Sequence, residues 1–86
     1  PWVPLRVNVK KSKSNEALVL IKKRKINSKN YYYVTKKKNL KEAAKNLYSI
    51  LRKIKKDGYK MIAVEKIPNI GIGKTINDRL NRASNY

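Results

Sequence analysis

The chain of 86 residues contains neither cysteine nor histidine. That double absence excludes disulfides, thiol nucleophiles and imidazole general bases, and with them nearly every transition-metal site. Phenylalanine is missing as well, and apart from Trp2 every aromatic residue is a tyrosine. Acidic residues number five, namely Glu16, Glu42, Asp57, Glu65 and Asp78. None forms a close pair suited to acid/base catalysis or metal capture, so no catalytic or metal-ligating residue is assigned. No apolar run approaches the roughly 20 residues of a membrane span, and no signal-peptide core follows the basic residues. A cytoplasmic location without a membrane partner is expected.

What the sequence does carry is positive charge. Lys and Arg together number 23, giving a formal net charge of +18. Two explanations stand side by side. Clustered cations release counterions from phosphates and favour nucleic acid. Lys, Asn, Ile and Tyr also share A/T-rich codons, so genome composition alone can load a surface with lysine. The length supports one hydrophobic core and no more, and the 41% hydrophobic content is enough to fill it.

Read along the chain, "PLRVNV" alternates, with Leu5, Val7 and Val9 expected on one side of a short strand. "EALVLI" (16–21) is a continuous apolar run of strand length, followed by Lys22, Lys23, Arg24 and Lys25 and the turn-like "NSKN". "YYYVT" has strand composition and runs into Lys36, Lys37 and Lys38. These two basic runs flank Tyr31, Tyr32 and Tyr33, which raises base stacking beside phosphate contacts, with the seven cations as RNA-contact candidates. Strand alternation, however, sends Tyr32 to the face opposite Tyr31 and Tyr33, and ordinary packing is the favoured reading of the triplet.

The clearest element is a helix from about Leu40 to Lys56, with Leu40, Ala44, Leu47, Leu51 and Ile54 on one stripe. Asn39 is placed to cap it, Glu42 to complete a capping box, and Gly58 to end it. "YKMIAVEKI" follows as a mostly buried strand that Pro68 stops. A last helix, about Gly73 to Ala83, is expected to bury Ile72, Ile76, Leu80 and Ala83 and to turn Lys74, Asn81 and Arg82 outward. Strands followed by α-β-α predict an α/β fold, a small Rossmann-like unit of two or three layers.

"GIGKT" (71–75) invites comparison with a phosphate-binding loop, G-x-x-x-x-G-K-[ST]. With Gly73, Lys74 and Thr75 in the last three places, the first glycine should stand at position 68, where the chain has Pro68. Proline removes an N–H and fixes φ near −65°, which disfavours the tight turn. A glycine turn that lets a helix start close against the sheet is the preferred reading. A stand-alone ATPase is rejected with the loop.

From Asn39 onward the order "NLKEAAKNLYSILRKIKKDGYKMIAVEKIPNIGIGKTINDRLNRAS" resembles the C-terminal domain of two-domain bacterial threonylcarbamoyl-AMP synthases. The pattern "DLxEAAxNLFxxLRxLD" is met at Leu40, Glu42, Ala43, Ala44, Asn46, Leu47, Leu51 and Arg52. The pattern "IxVxPIP" is met at Ile62, Val64, Ile67 and Pro68. The ending "GLGxAINDRLxRAA" is met at Gly71, Gly73, Ile76, Asn77, Asp78, Arg79, Leu80, Arg82 and Ala83. "PLRVN" is similar to the tail of that family's interdomain linker. Lys55, Lys56, Lys74 and Thr75 depart from the pattern.

The resemblance implies residues 1–15 as a linker remnant with a short strand and 16–86 as a C-terminal accessory domain, the catalytic N-terminal domain being absent. It implies a parent nucleotidyltransferase that turns ATP, L-threonine and bicarbonate into threonylcarbamoyl-AMP for tRNA modification, with ATP and magnesium belonging to the missing domain and no cofactor in this chain. The catalytic domain is then the expected partner, with tRNA as a further one. Gly71, Gly73, Asn77, Asp78 and Arg79 are the docking candidates, the glycines serving the turn. The alternative is an independent basic RNA-binding module using Lys22, Lys23, Arg24, Lys25, Lys36, Lys37 and Lys38.

Overall fold

A computed structural model describes residues 4–84; Pro1, the head of the expected linker remnant, and Trp2 lie outside the described residues. The elements run β1 (Leu5–Arg6), β2 (Ala17–Leu20), β3 (Tyr31–Tyr33), α1 (Leu40–Lys56), β4 (Ile62–Val64) and α2 (Ile72–Ser84). All four strands are parallel and lie in the order β1-β4-β2-β3, with Leu5 opposite Ile62, Ala17 opposite Ile62 and Leu18 opposite Tyr31. This is the expected α/β fold. The central strands "ALVL" and "IAV" are buried at every position, as strands covered on both faces must be, which is why they read as unbroken apolar runs.

The two faces of the sheet are covered differently. Leu5, Ala17, Val19, Tyr32, Ile62 and Val64 share a core with Ala43, Leu47, Leu51 and Ile54 of α1 and Ile76, Leu80 and Ala83 of α2. Both helices therefore pack on one face. On the other, Leu18, Leu20 and Ala63 are sealed by Val9, Tyr31 and Tyr33, which belong to strand ends and irregular connections. The regular layers are two. Val9 reaches this second face because Asn8 has a positive φ of 59°, which breaks the alternation that would have kept it beside Leu5 and Val7.

Helix α1 has the predicted bounds, and Asn39 Oδ1 accepts from the Glu42 N–H at 3.0 Å. The return half of the expected capping box is absent. The Asn39 N–H instead donates to Thr35 Oγ1 at 3.3 Å, and the Glu42 carboxylate faces Lys37 Nζ at 4.0 Å. The helix's buried line is Ala43, Leu47, Leu51 and Ile54, with Leu40 and Ala44 half-buried beside it. Truncating one of these leucines to alanine typically costs about 2–5 kcal/mol. Asn46 Nδ2 also ties the helix to the sheet through Val34 O at 3.0 Å. Gly58, at φ 92°, ends the helix as expected. Among the described residues, no helix is long and apolar enough to cross a membrane.

In α2 the buried line is Gly73, Ile76, Leu80 and Ala83, whereas Ile72, expected on it, is 44% exposed. Gly73 takes that place because nothing larger fits. A Cβ there would lie 1.8 Å from the Pro68 carbonyl oxygen and 3.2 Å from Leu40 Cδ1.

Candidate functional site

Because every strand points the same way, the connections that leave β2, β3 and β4 emerge together at one end of the sheet, beside the N-termini of α1 and α2. Ligands of open α/β sheets bind at this carboxyl end, where the strand order reverses. Here the reversal lies between β2, from which the chain steps outward to β3, and β4, to which α1 returns it. Glu65 occupies that crevice. Its Oε1 accepts from the Ile21 N–H at 2.9 Å and its Oε2 faces Arg24 Nη2 at 3.5 Å.

The fold brings the two basic runs together at this end. Lys22 and Lys37 form an antiparallel bridge, the Lys23 N–H donates to Lys36 O at 2.9 Å, and the Lys38 N–H donates to Ile21 O at 2.8 Å. Lys22, Lys23, Lys25, Lys36, Lys37 and Lys38 are all exposed. The tyrosines divide as alternation requires. Tyr32 is buried against the helices, while Tyr31 and Tyr33 are half-buried on the opposite face. The Arg24 guanidinium carbon lies 5.5 Å from the Tyr31 ring centre and Lys36 Nζ lies 5.6 Å from that of Tyr33. These are cation–π distances.

In "GIGKT" the backbone N–H groups turn inward on the chain itself. The Gly73 N–H donates to Ile70 O at 2.9 Å and the Lys74 N–H to Gly71 O at 3.1 Å, although a phosphate cradle needs such groups aimed at its ligand. Gly71 supplies a left-handed φ of 53°. Asn77 Nδ2 donates to Ile67 O at 3.0 Å and to Asn69 Oδ1 at 3.3 Å, tying the loop to α2. Asp78 and Arg79 are exposed, and the Arg79 guanidinium carbon stands 5.8 Å from the ring centre of Tyr48 on α1. The docking candidates thus fall into two groups: Gly71, Gly73 and Asn77 shape the loop, and Asp78 and Arg79 face outward. Periodicity missed Ile70, which is 75% exposed beside Gly71. A groove of about 280 Å³, lined by Asn8, Lys66, Asn69, Asn77 and Asn81 among others, runs between this loop and the end of β1.

Two further polar features are visible only in three dimensions. Glu16 has 1% of its side chain exposed and accepts from Arg6 Nε at 2.8 Å, Arg6 Nη2 at 2.6 Å and the Lys13 N–H at 2.9 Å. The Arg6 guanidinium holds its carboxyl below the usual range, against the opposing effect of burial. Sequence reading treated Glu16 as the edge of a strand, since ten positions separate it from Arg6. At the same, amino end of the sheet Tyr32 Oη donates to Asp57 Oδ2 at 2.6 Å. Burial and that bond raise the phenol's pKa, and the same bond, with Lys53, lowers that of Asp57. Asp57 lines a groove of about 630 Å³ together with Gly58, Tyr59, Lys60 and Met61.

A family model described as threonylcarbamoyl-AMP synthase, C-terminal domain, matches residues 4–85. No curated protein and no solved structure matches the chain.

Proposed function

Since the chain belongs to the family of threonylcarbamoyl-AMP synthase C-terminal domains, we propose that it is the non-catalytic accessory domain of an L-threonylcarbamoyladenylate synthase, docking on the catalytic N-terminal domain and helping to close it. In this reading the partner domain handles ATP, L-threonine, bicarbonate and magnesium in the cytoplasm. Its product, threonylcarbamoyl-AMP, serves tRNA modification, and this chain contributes no reacting group.

The observation that carries the reading is the surface around Gly71. Ile70 and Ile72 stand open to solvent on either side of it, and they rank with Ile26 and Tyr48 as the exposed large apolar residues among the described ones. An apolar tip on a surface otherwise crowded with lysine fits the centre of a domain contact, where charge is depleted. Asp78 and Arg79 supply its polar rim.

Thermal melting tests this. Adding the separately expressed catalytic domain should raise the melting temperature of the chain in a concentration-dependent way, because a partner that binds only the folded state stabilises it by mass action. Ile70→Asp with Ile72→Asp should remove that increment while leaving the melting temperature of the chain alone nearly unchanged. An unshifted melt at saturating partner would contradict the reading.

A second reading, contact with RNA, is favoured by a separate observation: the fold lays Lys22–Lys25 and Lys36–Lys38 side by side.

A further inference from the structure

We propose that the ladder formed by residues 21–25 and 36–38 is a site for the phosphate backbone of RNA that does not read base sequence. The proposal rests on the second reading above and is independent of domain docking. It specifies where the contact lies and what it recognises.

The position follows from the backbone. Lysines far apart in sequence are held in register by the hydrogen bonds between Lys23 and Lys36 and between Lys38 and Ile21, so the two basic runs are fixed side by side at one end of the sheet. Among the described residues, two of the seven have carboxylate neighbours, Arg24 with Glu65 and Lys37 with Glu42. Lys22, Lys23, Lys25, Lys36 and Lys38 lie outside those ion pairs and are exposed.

The indifference to sequence follows from how the potential base-reading groups are used. Base stacking needs an open ring face. Tyr31 and Tyr33 instead pack over Leu18, Leu20 and Ala63 and carry Arg24 and Lys36 on their rings. The Tyr33 hydroxyl accepts from the Arg24 N–H at 3.1 Å and donates to Asn27 Oδ1 at 2.7 Å. Arg24, the cation best shaped for bidentate base contacts, is held by Glu65 and donates to Lys10 O at 2.9 Å. What faces solvent is lysine, a point charge suited to phosphate. A membrane surface is the poorer match. Interfacial binding calls for an amphipathic helix, whereas among the described residues this ladder has no exposed large apolar side chain and only Ile26 stands exposed beside it.

Fluorescence anisotropy with labelled single-stranded RNA tests the proposal on the 86-residue chain. Five phosphate contacts predict a slope of log K against log salt of about −3.5, or roughly a hundredfold loss of affinity between about 50 and 200 mM salt. Oligomers of A, U and mixed sequence should agree within about threefold, since only the backbone is read. Two variants locate the site. One carries Lys22→Glu, Lys23→Glu, Lys25→Glu and Lys36→Glu; the other carries Lys29→Glu, Lys45→Glu, Lys56→Glu and Lys60→Glu elsewhere on the exposed surface. Both lower the net charge equally. The first should lose at least about a hundredfold in affinity and most of the salt slope, the second about tenfold or less. The milder pair Lys22→Gln with Lys23→Gln should reduce the slope by about 1.4 units without reversing any charge. Equal losses in the two fourfold variants, or strong base preference, would overturn the proposal while RNA binding itself stands. Absence of RNA binding, or binding only to vesicles containing phosphatidylserine, would overturn both the proposal and the reading beneath it.

Discussion

At Glu16 the chain places a carboxylate where almost none of its side chain meets water, and it satisfies that carboxylate with two guanidinium bonds and one backbone N–H. Breaking such an arrangement from one side leaves the remaining charge without its partner. The consequence for acid stability has a definite sign. The folded carboxyl has a lowered pKa, and the unfolded one titrates near about 4.3, so the pair stabilises the fold fully above about pH 5. That contribution is lost as pH falls through the folded value. In urea titrations at successive pH values, Glu16→Gln should lower stability at neutral pH and give a shallower acid limb than the parent. Part of the limb should survive, because Asp57 is shifted in the same direction by Tyr32 and Lys53. An unchanged limb would assign acid sensitivity elsewhere. Neighbouring glycines show how site-specific residue demands are: Gly71 has open space but a left-handed φ, whereas Gly73 needs the missing Cβ itself.

The start of helix α1 is an example at the scale of the element. Sequence spacing assigns Glu42 to the reciprocal cap, but Thr35 performs it, its hydroxyl accepting from the N–H groups of both Lys37 and Asn39 at 3.3 Å. Thr35→Val, which keeps the shape and removes the acceptor, should therefore destabilise the fold by about 1–3 kcal/mol, while Glu42→Gln should stay within about 0.5 kcal/mol. Paired denaturation curves distinguish the two assignments. Helix α1 was otherwise legible because seventeen residues repeat one periodicity, and the burial of Tyr32 followed from alternation alone. The reversal at Asn8 was not legible, because one φ angle decides which face Val9 meets. Nor was the exposure of Ile72, which periodicity alone places on a buried stripe and which the Pro68 carbonyl against Gly73 displaces from it.

Over the whole molecule the excess of positive charge works against compaction, since like charges repel within a Debye length of about 10 Å at 0.1 M salt. Added sodium chloride should raise the melting temperature over the range in which RNA affinity falls, and a falling melting temperature would mean that ion pairs such as Arg6–Glu16 and Lys53–Asp57 outweigh the repulsion. The lysine runs were legible as composition. Their union was not, because it depends on the register of β2 against β3. Strand order was equally hidden: no local pattern states that β4, the last strand in the chain, belongs between β1 and β2. That insertion governs how the protein emerges from a ribosome. Until Ile62–Val64 has left the exit tunnel, the first strand has no neighbour to pair with and the second has a vacant side. Before that point β2 can pair only with β3, so the sheet closes in a late, cooperative step.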